Sequence, residues 1–203
     1  MGIFSFFRKR DPEDIVTSVS QGIVAAAIEA RGELVSPDDP RSAMACCEVA
    51  YLLLHLVDRE LFSLFGESGR DRYFSIISER VITVYILAVL IPRDPGADVA
   101  KIGRQMLDVL NSRQATYSKC NSVLAVGGSL PSPGSMVFAL CVFMQMTLGK
   151  PTINYLDNLL AGNVDASSID VDEVPDLGNL VLAAAFIASR IDAIRFRHHL
   201  RRL

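Results

Sequence analysis

The chain has 203 residues, half of them hydrophobic and 21% charged, and its 20 basic against 23 acidic side chains leave a formal net charge of −3. A disordered chain would be less apolar and more strongly charged, so that class is excluded. The balance argues against nucleic-acid binding through overall positive charge, leaving only a local basic patch open, and four cysteines are too few for a disulfide scaffold.

At the N-terminus, apolar Ile3, Phe4, Phe6 and Phe7 precede Arg8-Lys9-Arg10. A secretory signal has the opposite order and a small-residue cleavage site, and Phe6 stands where a myristoylation pattern needs Ser or Thr. Residues 1–11 are therefore expected to be an appendage of a cytoplasmic protein with free thiols.

Asp11-Pro12-Glu13-Asp14 then reads as a helix start: a cap, a proline at the first helical position, and acids favoured by the helix dipole. Ile15, Val16, Val19, Ile23, Ala27 and Ala30 continue at helical spacing to Gly32. Within this stretch Ile23–Gly32 (IVAAAIEARG) is similar to the first helix of TetR-type repressors. That resemblance implies a helix-turn-helix with a basic recognition helix next. Glu33–Pro40, with two prolines and three acids, stands there instead, so nucleic acid is not the expected partner.

Asp39-Pro40 starts a second helix to about Phe65, punctuated by Gly66. A third spans about Gly69 to Ile91, closed by Pro92; its Val81–Ile91 half is apolar all round and is expected to be surrounded by other elements. Asp94-Pro95 opens a fourth, striped by Val99, Ile102, Met106, Val109 and Leu110, which frays between Arg113 and Asn121. A glycine- and proline-rich loop, Gly127–Ser135, leads to an apolar helix, Ser135–Leu148. A short helix ending near Gly162, an acidic loop from Asp165 to Asp176, and a last helix from about Leu177 to the terminus follow. The expectation is an all-α, single-domain bundle of about seven helices over residues 12–203, with an apolar central helix.

Mean hydropathy is +0.31, yet a membrane-spanning helix needs roughly 18–20 uninterrupted apolar residues. Val81–Pro92 follows Glu79-Arg80, Leu177–Ser189 stops at Arg190, and the uncharged stretch Cys120–Gly149 is broken at Gly127–Ser135. No spanning helix is expected.

Chemistry concentrates around His55. On a helix, Glu48, Tyr51, His55, Asp58, Arg59 and Phe62 fall within about 60° of His55. If the next helix pairs antiparallel, Glu79 or Arg80 approaches the same stripe. One reading is an acid–base or anion site, with His55 as proton carrier and Arg59 or Arg80 holding a negative group. The other is structural, with Asp58, Arg59, Glu79 and Arg80 tying two helices together, and the pattern leans to it. No metal or cofactor is expected. No Glu has a His three residues on, no Cys-x-x-Cys exists, and Gly149-Lys150-Pro151-Thr152 departs from a phosphate loop in its first glycine and its proline.

The last helix carries one apolar stripe through Leu180, Ala184, Ile187, Ile191 and Ile194. A second, Phe196, Leu200 and Leu203, is rotated roughly 160° away on a continuous helix. With Arg197 and Arg201 beside it, this second stripe suggests contact with another subunit or a membrane surface, although cations at a helix C-terminus also simply complement the dipole. Phe4, Phe7, Arg8, Lys9 and Arg10 have the same binding character at the other end. The functional expectation is a non-enzymatic, self-associating interaction or scaffold module, a homo-oligomer whose basic ends engage an acidic protein or, peripherally, the anionic inner face of a membrane. The alternative is a small-molecule-binding or acid/base enzyme site on His55, Asp58, Arg59, Glu79 and Arg80.

Overall fold

A computed structural model describes residues 11–120, 122–123, 134–149 and 177–203 of the chain. The N-terminal candidates Phe4, Phe7, Arg8, Lys9 and Arg10, the short helix expected to end near Gly162, and the acidic loop lie outside these residues.

The described chain is all-α, its only β pairings being two isolated bridges. Local signals account for most helix starts. In α1, Pro12–Glu33, the Asp11 side chain accepts from the Glu13 amide at 3.0 Å and Pro12 occupies the first position, so an acceptor for a free amide and a fixed φ suit the first turn. In α4, Met136–Thr147, the Ser135 hydroxyl accepts from the Phe138 amide at 3.2 Å. Helix α3, Val99–Tyr117, begins later than the Asp94-Pro95 signal implies. Asp94 instead closes a turn onto the Gly96 amide, and Asp98 caps the helix by accepting from Lys101 N at 3.0 Å.

Five helices of twelve residues or more are present among the described residues, rather than about seven. The two expected helices 40–65 and 69–91 are limbs of one element, α2, Ser42–Tyr85, continued by a π turn, Ile86–Leu90. They are folded on each other at Gly66, whose φ of 66° and ψ of −167° are non-helical and suit only glycine. Two contacts show the fold-back. Arg70 reaches Asp58 twelve residues away, which on a straight helix would lie about 18 Å distant. The Tyr85 hydroxyl donates to the Ala43 carbonyl at 2.7 Å, joining opposite ends of the element.

The first limb, 42–65, is the centre of the molecule. Ala45 to His55 are all buried, enclosed by α1, the second limb, α3 and α4. Helix α4 is also central, with every side chain from Met136 to Met144 buried. Among the described residues the Val81–Ile91 stretch is not surrounded, which corrects the expectation. Ile77, Val81, Ile82, Tyr85 and Ile86 pack inward, but Thr83, Val84, Leu87 and Ala88 are exposed.

Helix α5, Leu177–Ile194, packs on α1 and α4. A Cβ on Gly22 of α1 would stand 3.0 Å from Ile194 Cγ1, so the glycine lets the two helices approach without the Ile194 side chain having to shift. The last helix does not run to the terminus. It breaks at Arg195, which has left-handed φ 50° and ψ 45°, before a short α6, Phe196–Leu200.

Candidate anion-binding cleft

The polar stripe of the first limb faces inward, and its members separate into different roles. Glu48, 2% exposed, accepts from Arg113 Nε and Nη2 of α3, both at 2.8 Å, and from the Thr147 hydroxyl of α4 at 3.2 Å. The Arg113 guanidinium lies 3.8 Å from the Phe143 ring centroid. Burial works against its charge, but the hydrogen bonds and charge of Glu48 outweigh that and raise its pKa above the ordinary arginine value. A carboxylate and a guanidinium so dehydrated are tolerated because each saturates the other in a bidentate pair. Glu48 was visible as part of the His55 stripe; Arg113 stood in a stretch read as fraying, with no local signal of this partnership.

His55 is 3% exposed, its ring 5.6 Å from that of Tyr117, and neither ring nitrogen has a hydrogen-bond partner among the described residues. Burial, with the charge of Arg59 and against that of Asp58, pushes its pKa down to about 4. The imidazole is thus neutral near pH 7 and closed off from solvent. Asp58 does not orient it, since its carboxylate is taken by Arg70 at 2.6 and 3.2 Å. Glu79 is exposed on the second limb, and Arg80 binds Glu13 and Thr17 of α1. The five candidates His55, Asp58, Arg59, Glu79 and Arg80 are therefore distributed over separate contacts.

Arg59 belongs to a different constellation. It is exposed on the first limb and lines a cleft of about 970 Å³ with Arg195, Arg197, His198, Arg201 and Arg202 of the C-terminal turns; Ser63, Ser122 and Ile191 contribute to the walls. Five arginines face two carboxylates there, Glu60 and Asp192. Arg197 Nε donates to Glu60 Oε1 at 2.8 Å, whereas Arg59, Arg195, Arg201 and Arg202 have no ion-pair partner among the described residues. The break at Arg195 builds this arrangement. It turns the chain so that Phe196 and Leu200, 6% and 0% exposed, enter the core, leaving Arg197 between them and Arg195, Arg201 and Arg202 on either side at the cleft. The second apolar stripe of the sequence, with Leu203 part-buried at its end, is consequently engaged within the chain. The rotation arithmetic assumed a continuous helix, and the break at Arg195 removes that assumption.

Among the described residues no three His, Cys, Asp or Glu side chains converge in a way that could hold a metal ion. One helical stretch, Ser42–Leu90, is long and apolar enough to cross a membrane by length and composition. Comparison with protein-family models, curated proteins and solved structures finds no match.

Proposed function

We propose that this chain is a non-enzymatic interaction module whose C-terminal cleft receives an acidic segment of a partner protein. The supporting observation is the convergence of Arg59 with Arg195, Arg201 and Arg202, unpaired, around one cleft of a chain that is acidic as a whole. Guanidinium groups are planar, always charged and matched to carboxylates in bidentate geometry. Clustered in a concavity they also focus a local positive field that speeds encounter with anionic groups despite the net negative charge. A large, open site suits a peptide side of a protein better than a small ligand, which is usually buried over most of its surface. The acid–base alternative has less support, because His55 is enclosed and burial depresses its basicity.

The test is fluorescence anisotropy of a labelled poly-glutamate peptide with the wild-type chain and an Arg59→Glu/Arg201→Glu variant. Wild type binds, the affinity falls as salt rises, and the double charge reversal weakens binding by more than about tenfold. Equal affinity of the two proteins would remove the cleft from the interaction. A poly-lysine peptide serves as the control of opposite sign.

A further inference from the structure

The arginines of the C-terminal cleft stand around an aliphatic floor. Leu56, Val123 and Ile191 line the same cleft, each part-buried and packed on its inner side against the core. Two of them sit one helical turn from a cleft arginine. Leu56 precedes Arg59 by three residues on the first limb, and Ile191 precedes Arg195 by four on α5, spacings that place the pairs on one face. Val123 is fixed by the start of α4, where the Val137 amide donates to its carbonyl at 3.2 Å and the Met136 amide to that of Ser122 at 2.9 Å.

This mixture restricts what the cleft can hold. A ligand acidic throughout would press carboxylates against aliphatic surface, which is costly for a charged group. It would also meet Glu60 and Asp192, which share the lining with the arginines. An apolar side chain in the middle of the segment avoids both penalties and takes aliphatic area out of water. An anchor in a pocket with charge contacts around it is also how protein interfaces commonly distribute their binding energy. Single-stranded nucleic acid is the poorer fit. Its bases need open rings to stack on, and Phe196, the one phenyl ring in the lining, is only 6% exposed.

We infer that the ligand of this cleft is an acidic segment interrupted by an aliphatic anchor, with its carboxylates on Arg59, Arg195, Arg201 and Arg202 and the anchor on Leu56, Val123 and Ile191. This rests on the acidic-partner reading and adds what the segment carries between its acids. The experiment is fluorescence anisotropy of the full chain with two labelled heptapeptides of equal charge. Each has three glutamates on either side of a central residue, which is serine in one and leucine in the other. The leucine peptide should bind about tenfold tighter, and that advantage should persist as salt weakens both. Val123→Thr/Ile191→Thr should reduce the advantage to about twofold or less while leaving the serine peptide unchanged. Should the pair melt early, Val123→Thr alone is read, with an expected loss of about threefold. Arg59→Glu/Arg201→Glu should weaken both peptides alike. Equal binding of the two peptides by wild type would overturn the inference and leave the acidic-partner reading standing, whereas binding of neither would end both. A leucine advantage untouched by the threonine variants would place the apolar contact elsewhere and overturn the inference too. Tighter binding of an oligothymidylate of the same charge would do the same.

Discussion

Arg113→Met isolates the physics of the central ion pair. The substitution keeps a long apolar stem against Phe143 but withdraws both hydrogen bonds from a Glu48 side chain that is 3% exposed, leaving only the Thr147 hydroxyl for its carboxylate. Removing one partner of a buried pair costs about 3–5 kcal/mol, because the remaining charge stays desolvated. A lost cation–π contact adds about 1 kcal/mol. For a domain of this size total stability is of order 5–15 kcal/mol, so the urea midpoint should fall by about a quarter or more. Circular dichroism during urea titration measures it, provided the slope m is unchanged. The double variant Glu48→Met/Arg113→Met removes both charges and should recover most of the loss, since apolar replacement of a whole buried pair is often neutral. The exposed Arg80–Glu13 pair, with Glu13 63% exposed, is the internal contrast: breaking it should cost less than about 1 kcal/mol. If Arg113→Met also costs under about 1 kcal/mol, the pair is hydrated in solution and the claim of a dry polar core is wrong.

His55 gives a pH signature. Its folded pKa of about 4 lies below the ordinary 6.5, so the unfolded chain takes up a proton first as pH falls. Its stabilisation is complete above about pH 6.5, declines below that and is gone once pH passes about 4, a loss of about 3 kcal/mol. Subtracting the stability–pH curve of His55→Leu from that of wild type should show this slope, and parallel curves would mean that the imidazole is solvated. The four cysteines are free and buried, with burial raising Cys46 and Cys120 to about 11 and Cys141 to about 12. A thiol-specific chromogenic disulfide should therefore label none of them in the native protein within minutes at pH 8, and all of them in denaturant. Rapid native labelling would show that the core opens.

The parts of the fold readable from sequence are those set within a few residues. Asp11-Pro12 and Ser135 mark helix starts because a cap acts on the next two or three amides, and Gly66 marks the α2 turn because its backbone conformation needs glycine. Where two local signals compete, reading by pattern goes astray. Asp94-Pro95 resembles a start, yet Asp94 is used by the Gly96 turn and Asp98 supplies the cap. Signals between distant residues are absent altogether. Glu48 and Arg113 are 65 residues apart, and the one hint was a carboxylate between Cys46-Cys47 and Val49-Ala50, in a run otherwise fit only for burial. An apolar circumference at Val81–Ile91 likewise describes composition, not how many neighbours pack there; among the described residues none covers Val84 and Leu87.

The cleft was half legible. Arg59, Arg197 and Arg201 were each singled out, but on two different surfaces, because a helix continued through Arg195 sends Phe196 and Leu200 outward. A non-glycine residue in left-handed geometry costs about 1–2 kcal/mol, and only compensation elsewhere retains it. Here compensation is visible in Phe196 and Leu200: burying two large apolar side chains is worth about 1.5–3 kcal/mol each, enough to hold the turn. The same dihedral that rescues those side chains from solvent also carries the C-terminal arginines round to Arg59. Core packing and cleft charge are therefore one structural decision made at Arg195, and the basic concavity is as stable as the two anchors beneath it.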